Sequence, residues 1–341
     1  MGKTITIIVP SYNMESCLSK CLSSLVLVDR PERVEVLVIN DGSKDGTLDV
    51  ARSFEQEYPQ VFRVIDKQNG NYGSCINVGL KNTTGKYVKI LDADDYFVNA
   101  NFQQMVDSLD EITVDLLISD VSVSRYGKSE LHTSSMQSGK ILPFDSVCKH
   151  HGELSWWMHA ITYRFEIFKD MDYKQTEGIS YTDEEWSFVP KSNVRSVYYL
   201  NHPVYQYIIG REGQTVEPKI WHDNFWQVSK VADANLVALS NLDDTIPRNI
   251  RDVMGIRLYS RLKQVYKQYL IYSPDLDRTC LDALDTKMKQ MNISLYKKTN
   301  NMMLSTPLFP FRFIKIWRKN HNSHFLRIIA DSYCRYKKTK E

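Results

Sequence analysis

Three carboxylates follow an apolar run in the first third of the chain. The run covers residues 87–91, contains β-branched side chains, and is followed directly by Asp92, Asp94 and Asp95. Buried strands end in this way where a sheet presents charge to a ligand at its carboxyl edge. Closely spaced Asp oxygens suit Mg²⁺ or Mn²⁺, and such ions commonly complete their coordination shell with phosphate oxygens. The pattern predicts a metal and phosphate site, with a solvated Asp-rich turn as the alternative.

The elements that must position these carboxylates alternate between strand and helix patterns. Strand patterns cover residues 5–9, 34–39, 61–65 and 86–91, and helix patterns cover 15–28, 45–57 and 72–81. This order predicts an α/β fold with a doubly wound, mostly parallel sheet and right-handed crossovers. The second strand ends at Asp41, so two strands end in Asp-bearing loops at the edge where such sheets bind nucleotides.

In the remainder of the chain the pattern of apolar residues changes twice. Residues 114–119 and 194–200 have strand patterns within a mixed region, and from Trp221 onward the apolar spacing is helical. We therefore expect a helical C-terminal extension. Trp156 and Trp157 are adjacent, and each can either stack on a sugar face or belong to ordinary core.

Composition excludes several classes of protein. The 341 residues carry a formal net charge of +2, which argues against a nucleic-acid binder driven by gross charge. The six cysteines lack the paired spacing of a disulfide framework or zinc site, which favours reduced thiols in the cytoplasm. The first apolar run is too short for a secretory signal, and no stretch approaches the roughly 20 apolar residues of a membrane span. We expect a cytoplasmic globular protein without a nucleic-acid partner.

Five ordered motifs within residues 4–100 carry a family resemblance. They are Ile8-Val9-Pro10-Ser11-Tyr12-Asn13, Val38-Ile39-Asn40-Asp41-Gly42-Ser43-Lys44-Asp45-Gly46-Thr47, Asn69-Gly70-Asn71-Tyr72-Gly73 through Asn77, Gly85-Lys86-Tyr87, and Leu91-Asp92-Ala93-Asp94-Asp95. Together they resemble the family 2 glycosyltransferases of the GT-A fold. The resemblance implies a Rossmann-like sheet and inverting transfer from a nucleoside-diphosphate sugar, with a UDP-sugar as the expected donor.

The resemblance also implies roles for single residues. It places Asp41 on the uracil N3–H, Asp92 on the ribose, and Asp94 on a bound Mn²⁺ or Mg²⁺, while Asp95 orients Asp94 or caps the next segment. The implied donor-binding residues are Pro10, Tyr12, Asn13, Asp41, Asn69, Gly73, Asp92, Ala93 and Arg211. Many family members carry Arg where this chain has Ile76, so the contact made by that Arg must come from elsewhere or be absent.

Two downstream segments extend the resemblance. The acidic segment of residues 181–186 lies where the family has its general base, which implies Asp183 for that role, with Glu184 second. Its alternative is a helix N-cap at Thr182 or Asp183, and both interpretations can hold together. Residues 203–215 resemble the family's closing element, a loop in which Arg211 clamps a diphosphate oxygen. An exposed hairpin-like loop is the alternative there.

The sequence predicts two domains. Residues 1–217 form a GT-A catalytic domain, with a nucleotide-sugar half at 1–100 and an acceptor half at 101–217, and residues 218–341 form the helical extension. The predicted activity is transfer to a hydroxyl of a glycan, glycolipid or glycoprotein acceptor, by family analogy in bacterial surface polysaccharide synthesis. A sugar nucleotidyltransferase and a non-catalytic nucleotide-sugar-binding scaffold are the alternatives.

The C-terminal tail at 307–340 is rich in basic and aromatic residues. This composition suits peripheral contact with an anionic membrane surface, which would place the protein at the inner face of the membrane. The alternatives are a basic helix that packs its aromatic side chains on the protein, and a surface for homo-oligomerisation.

Overall fold

The computed structural model describes residues 2–27, 29–151, 156–211, 213–305 and 310–338. The chain divides into two compact units, Met1–Thr215 with Ile246–Ile250, and Val216–Thr245 with Arg251–Glu341. The predicted division at residue 217 stays a prediction for the catalytic and helical domains.

The first unit alternates strands and helices along its N-terminal half and becomes mixed beyond it. Its strands are β1 (Ile5–Ser11), β2 (Val34–Asn40), β3 (Phe62–Asp66), β4 (Tyr87–Ile90), β5 (Tyr96–Phe97), β6 (Leu116–Arg125), β7 (Lys128–His132), β8 (Ile141–Pro143), β9 (Ile161–Arg164) and β10 (Ser196–Ile209). Its helices are α1 (Glu15–Ser23), α2 (Thr47–Glu57), α3 (Asn71–Asn82), α4 (Asn99–Glu111), α5 (Phe144–His151) and α6 (Asp183–Phe188).

The strands of the described residues form one sheet in the order β3-β2-β1-β4-β9-β6-β10-β5, with β7 on β6 and β8 on β10. The half that contains β3, β2, β1 and β4 is parallel. Both β1 and β2 are buried along their whole length, which is typical of parallel strands covered on both faces. Helix α3 packs closely on this half, because a Cβ at Gly79 would lie 2.6 Å from the side chain of Ile8. The predicted α/β architecture is confirmed.

Element ends differ from the sequence patterns in places where a side chain intervenes. Helix α1 ends at Ser23, before the predicted residue 28, which lies outside the described residues. The hydroxyl of Ser24 donates to the Cys21 carbonyl oxygen at 2.6 Å and accepts from the Phe97 amide at 3.0 Å. This pair of hydrogen bonds fixes the turn that follows the helix.

The second half of the sheet is longer than its patterns predict. Strand β10 continues past residue 200 to Ile209 and pairs with β6 as far as Arg125. The prediction of a loop over residues 203–207 is therefore wrong, since these residues belong to β10, and Tyr205 is buried there. Two register shifts, on either side of Pro203, explain why the apolar pattern is interrupted.

The second unit is helical. It contains α7 (Pro218–Asp223), α8 (Phe225–Ser240), most of α9 (Arg248–Lys267), α10 (Thr279–Met291), α11 (Ile293–Thr299), α12 (Phe313–Lys319) and α13 (His324–Lys338). None of the helices in the described ranges is both long and apolar enough to cross a membrane.

The basic-aromatic tail is partly accounted for by packing. Phe311, Phe313 and Trp317 are buried, whereas Phe325 and Ile328 of α13 are exposed. Residues 307–309 and 339–340 of the predicted tail lie outside the described residues. Membrane contact by this segment stays a prediction.

Candidate active site

The ends of three adjacent parallel strands bring the predicted donor-side residues to one edge of the sheet. Ser11 at the end of β1 is in register with Asn40 at the end of β2, and the Asp41 amide donates to the Ser11 carbonyl at 2.8 Å. On the other side of β1, the Leu91 amide donates to the Ile8 carbonyl at 3.0 Å. Tyr12, Asp41 and Asp92 therefore leave the sheet at the same edge.

Asp92 lies half-buried at this edge, with 24% of its side chain exposed. Its Oδ1 accepts a hydrogen bond from the Tyr72 hydroxyl at 2.7 Å, and its amide donates to the Tyr205 hydroxyl at 3.1 Å. Burial, followed by the negative charge of Asp94, raises the pKa of Asp92 to about 7. A neighbouring cation would lower this pKa, because it would favour the carboxylate.

Asp95 is buried and ties the acidic turn to β10. Its carboxylate accepts from the Tyr205 hydroxyl at 2.8 Å and from the Ile208 amide at 2.7 Å. Burial, with the charges of Asp92 and Asp94, raises the pKa of Asp95 well above its usual range. These contacts give Asp95 a positioning role within the turn, while Ala93 between the acidic residues is itself buried.

Asp94 has partners that sequence patterns did not reveal. Its Oδ2 accepts from Arg211 Nη2 and from Gln214 Nε2, each at 3.0 Å. Arg211, the predicted diphosphate clamp, therefore neutralises the predicted metal ligand in this structure. The residue after it, Glu212, lies outside the described residues.

The donor atoms at this edge fit a divalent cation. One ligand atom each of Asp92, Asp95 and His159 lie within 4.8 Å of one another. Burial and the nearby Lys89 charge lower the pKa of His159 to about 3, so its imidazole is neutral, as a metal ligand requires. Asp94, the predicted metal ligand, lies on the same turn but is not one of these three residues. The three residues offer carboxylate oxygens and one imidazole nitrogen, and a cation would relieve the repulsion between the carboxylates.

Asp41, which is predicted to contact the nucleobase, is buried and already accepts hydrogen bonds within the protein. Its Oδ1 accepts from the Lys67 ammonium and from the Gly70 amide at 3.0 Å, and its carbonyl accepts from Asn69 Nδ2 at 3.0 Å. The sequence did not indicate that Lys67 would contact Asp41, apart from its position directly after β3. These contacts hold the Asp41 and Asn69 loops together.

The other predicted donor-side residues differ in exposure. Tyr12 is 45% exposed, so its ring is accessible for stacking, whereas Pro10 is buried within β1. Asn13 adopts a left-handed φ of 54°, and its Oδ1 accepts from the Lys44 amide at 2.8 Å. A Cβ at Gly73 would lie 2.1 Å from the Thr176 carbonyl oxygen, so packing alone requires glycine there.

Asp183, the predicted base, is the first residue of α6 and is exposed. Burial is the main cause of the raised pKa values of Asp92 and Tyr72, and the charge of Asp183 contributes to both, so Asp183 lies within electrostatic reach of the acidic turn. The α6 start is held by neighbours: Thr182 Oγ1 donates to Gln175 Oε1 at 2.8 Å, and Glu185 accepts from the Thr176 amide. Glu184 and Glu185 are buried, which leaves Asp183 as the accessible carboxylate of the three.

Four residues that sequence analysis did not select complete this arrangement. Tyr72 and His159 contact Asp92, Gln214 contacts Asp94, and Lys67 contacts Asp41; the atom distances for the first three are 2.7, 3.8 and 3.0 Å. Tyr72 and Gln214 lie inside segments that carry the resemblance, which was their available signal. Lys67 and His159 lie outside these segments and have no local pattern.

Part of the chain matches a known protein family. The family described as Glycosyl transferase family 2 matches residues 6–172. The uncharacterized glycosyltransferase EpsJ of Bacillus subtilis is 24% identical over 53% of this chain and 53% of its own length. An uncharacterized Mycoplasma pneumoniae glycosyltransferase, the MG025 homolog, is 29% identical over 62% and 69%. The Staphylococcus aureus poly(ribitol-phosphate) beta-N-acetylglucosaminyltransferase TarS is 26% identical over 66% and 39%. The chain thus spans about half the length of the first of these curated relatives.

Solved structures share the architecture. S. aureus TarS 1-349 in complex with UDP-GlcNAc has a TM-score of 0.55 at 20% identity, covering 87% of this chain and 78% of that one. The mannosyltransferase PcManGT from Pyrobaculum calidifontis, in complex with GDP-Man and Mn²⁺, has a TM-score of 0.51 at 15% identity, covering 86% and 82%. At these identities the likeness concerns the GT-A fold. Residues 6–172, just under half of the chain, match glycosyl transferase family 2, and the sheet around them shares the fold of these solved structures.

Proposed function

We propose that the protein is a metal-dependent, inverting glycosyltransferase that moves a sugar from a nucleoside-diphosphate sugar to a hydroxyl of a glycan or glycoconjugate. The observation that carries the proposal is a common position at one edge of the sheet. The acidic turn of Asp92 and Asp94 and the strand-end residues Tyr12 and Asp41 lie at this edge, and the charge of the exposed Asp183 acts on Asp92. Their chemistry matches the needs of a charged leaving group and an attacking hydroxyl.

For the donor, we propose a UDP-sugar. The exposed Tyr12 ring offers a stacking face for the base, and Asp41, which Lys67 and Gly70 hold in place, offers an acceptor for a ring N–H. The structures of TarS with UDP-GlcNAc and of PcManGT with GDP-Man support a nucleotide-sugar at this end of the fold. Asn13, Asn69, Gly73 and Ala93 would line the same site.

Asp94 would hold the metal, with Asp92 and His159 beside it. A bound Mn²⁺ or Mg²⁺ would supply charge neutralisation for the departing nucleoside diphosphate. Arg211 occupies Asp94 Oδ2, and an incoming diphosphate would offer its guanidinium a more highly charged partner. The same residue can therefore neutralise Asp94 without donor and contact a diphosphate oxygen with donor.

Asp183 would take the proton of the acceptor hydroxyl as that oxygen attacks the anomeric carbon. A single displacement of this kind inverts the anomeric configuration, because the hydroxyl approaches opposite the leaving group. The start of α6 holds Asp183 through the Thr182–Gln175 and Glu185–Thr176 contacts, so the base is positioned before substrate binds. For the acceptor, we propose a bacterial surface polymer, supported by the relative TarS, which is a poly(ribitol-phosphate) beta-N-acetylglucosaminyltransferase.

The proposal is tested by screening UDP-, GDP- and TDP-sugars for Mn²⁺-dependent release of the nucleoside diphosphate, since slow attack by water reveals the donor without the acceptor. We expect Asp94→Ala and Asp183→Ala each to lower the rate by at least about 10²-fold. Only Asp94→Ala should also weaken Mn²⁺-dependent nucleotide binding, measured by calorimetry.

Asp170→Ala is the matched control, since Asp170 is an exposed carboxylate in the same unit. It should retain the wild-type rate. Full activity in Asp94→Ala or Asp183→Ala would refute the role assigned to that residue, and release of pyrophosphate from a nucleoside triphosphate would favour a nucleotidyltransferase.

A further inference from the structure

A continuous row of rings leads away from the acidic turn. We define the aromatic row as His132, Trp157, His159 and Tyr207. His159 stacks on Tyr207 with centroids 4.4 Å apart, Trp157 meets His159 edge-on at 6.2 Å, and His132 lies 4.6 Å from Trp157. The row therefore links four side chains from three separate segments.

Two members of the aromatic row, His132 and Tyr207, lie on the same face of the sheet. His132 of β7 and Tyr205 of β10 are both cross-strand partners of Val121 in β6. Tyr207 lies two residues beyond Tyr205, so its side chain points to the same face of the sheet. The position of the row is therefore set by the register of three adjacent strands.

One end of the row lies at the proposed reaction centre. His159 Nε2 is 3.8 Å from Asp92 Oδ2. Burial raises the pKa of Tyr207, and the negative charges of Asp92, Asp95 and Asp183 contribute to the same shift. Tyr207 is thus close to both the acidic turn and the proposed base, where an acceptor hydroxyl must be placed.

The outer part of the row reaches solvent. Trp157 lies between the two histidines of the row and is 40% exposed, although its neighbour Trp156 packs near Phe144 and lies 5.6 Å from the Lys191 ammonium. Trp186 of the same unit is fully buried and represents ordinary core. Trp157 differs from Trp186 because its indole is held by neighbouring rings and is still exposed, and such an indole is suited to stacking with a ligand.

We propose that the aromatic row is the acceptor subsite and that it takes a neutral glycan, with a pyranose ring stacked on the exposed indole of Trp157. This inference rests on the proposed function and deepens it by naming the acceptor class. Pyranose rings carry a face of C–H groups that packs on an aromatic ring, whereas a linear polyol phosphate has no such ring face. The Glu130 carboxylate lies 3.9 Å from His132 Nε2, which makes this end of the row unfavourable for a polyanion.

The experiment measures nucleoside-diphosphate release from the donor found above, with and without probe acceptors. The neutral probes are methyl β-glucoside, methyl N-acetyl-β-glucosaminide, cellobiose and chitobiose, and the anionic probe is ribitol 5-phosphate. Saturation-transfer NMR measures binding of the same probes to the full chain without turnover. We expect neutral probes to bind and to stimulate release, with disaccharides stronger than monosaccharides.

Three substitutions test the position of the subsite. Trp157→Ala should raise the half-saturating concentration of a neutral probe at least tenfold. It should also reduce the ratio of the nucleoside-diphosphate release rate with probe to the release rate without probe. Trp157→Phe should recover most of this loss, because it keeps a stacking face. Trp226→Ala is the matched control, since Trp226 of α8 is 41% exposed, and it should behave as wild type.

The possible failures are distinguishable. The subsite is wrong if Trp157→Ala, with a circular dichroism spectrum like that of wild type, binds neutral probes within twofold of wild type. It is equally wrong if Trp157→Ala is misfolded and Trp157→Phe, while folded, binds no better than background. Binding of ribitol 5-phosphate alone, or of no probe, also overturns it. If neutral probes bind through Trp157 but no nucleotide-sugar is turned over, the proposed function fails and the glycan subsite stands.

Discussion

At the scale of single residues, the two acidic side chains nearest the proposed reaction centre have partners within the protein. Arg211 and Gln214 both donate to Asp94 Oδ2, and Tyr72 donates to Asp92 Oδ1. These contacts stabilise a cluster of carboxylates in which burial, and then mutual repulsion, raise the pKa of Asp92. Substrate binding at this site must therefore compete with contacts that already exist, which makes the departure of Arg211 from Asp94 part of donor binding in our proposal.

A buried cation lies in the strand that leads to this cluster. Lys89 of β4 is fully buried, and its ammonium donates to the carbonyl oxygens of His159 at 2.7 Å and Ile161 at 3.1 Å. Burial lowers the pKa of Lys89 to about 7 from an ordinary value of 10.5. Lys89 thus holds the segment that contains His159 and leads into β9 at Ile161 beside β4, while the charged form of Lys89 is disfavoured.

This depressed pKa predicts a pH dependence of stability. Between pH 7 and 10.5 the unfolded state binds more protons than the folded state at Lys89, so the free energy of unfolding rises with pH across that window. The contribution is at most about 1.4 kcal/mol per pH unit. Lys89→Met should abolish it, and urea unfolding of both proteins at pH 7, 8 and 9 measures the difference.

Lys81→Met is the control for this comparison, because Lys81 is an exposed residue of α3. Lys81→Met should preserve the wild-type slope of the free energy of unfolding against pH. An equal slope of this free energy in wild type and in Lys89→Met would show that Lys89 does not change protonation on unfolding in this pH range.

At the scale of elements, β10 connects the acidic turn to the second half of the sheet. It pairs with β6 in parallel and with β5 in antiparallel orientation, and β5 begins directly after Asp95. Tyr205 in this strand bonds both Asp95 and the Asp92 amide, and the Ile208 amide bonds Asp95. The turn that carries the proposed metal ligand is therefore held by a strand of the second half of the sheet.

Removal of the Tyr205 hydroxyl tests this connection. Tyr205→Phe leaves a buried carboxylate oxygen of Asp95 without this donor, which should lower the free energy of unfolding by about 1–3 kcal/mol. Metal-dependent nucleotide binding should weaken as well, because the turn loses a support. Denaturant unfolding and calorimetric titration measure the two effects.

Tyr198→Phe in the same strand is the matched control, since Tyr198 is only partly buried. It should change neither quantity. A Tyr205→Phe protein with wild-type stability and nucleotide binding would show that the Ile208 amide alone is sufficient to hold Asp95.

At the scale of the whole molecule, the second unit has its own buried polar centre. Arg318 of α12 pairs with Asp285 of α10 at 2.5 Å and donates to the Tyr296 carbonyl at 2.9 Å and to Asn300 Oδ1 at 2.8 Å. The Tyr266 hydroxyl also donates to Asp285. One guanidinium therefore joins helices α10, α11 and α12, and this explains why part of the basic tail belongs to the core of the unit.

Loss of this cation should be costly. Arg318→Ala would leave Asp285 as a buried charge without its main partner, and we expect the free energy of unfolding to fall by about 3–5 kcal/mol. Urea unfolding followed by circular dichroism measures the change. Arg312→Ala, at an exposed residue just before α12, should stay within about 0.5 kcal/mol of wild type. A similar small effect for Arg318→Ala would mean that Asp285 is satisfied by other groups.

The sequence by itself determined the parallel half of the fold and the edge at which the acidic residues lie. Apolar strand patterns and helix spacing are local properties, and residues that end parallel strands must meet at one edge. For this reason residues 5–9, 34–39 and 86–91 predicted where Asp41 and Asp92 emerge. The longer extent of β10 was not predictable in this way, because its pattern is interrupted around Pro203 and its pairing partner β6 lies far away in the chain.

Only the tertiary structure decided which groups contact these residues. The Asp94–Arg211 and Asp95–Tyr205 pairs join positions more than a hundred residues apart, and no local pattern encodes such a distance. The same applies to the difference between Trp156 and Trp157, which are adjacent in the chain, yet of these two only Trp157 belongs to the row of rings and is 40% exposed. Side-chain types are set by the sequence, but burial and charge pairing, which fix their chemistry, arise when separate elements pack together.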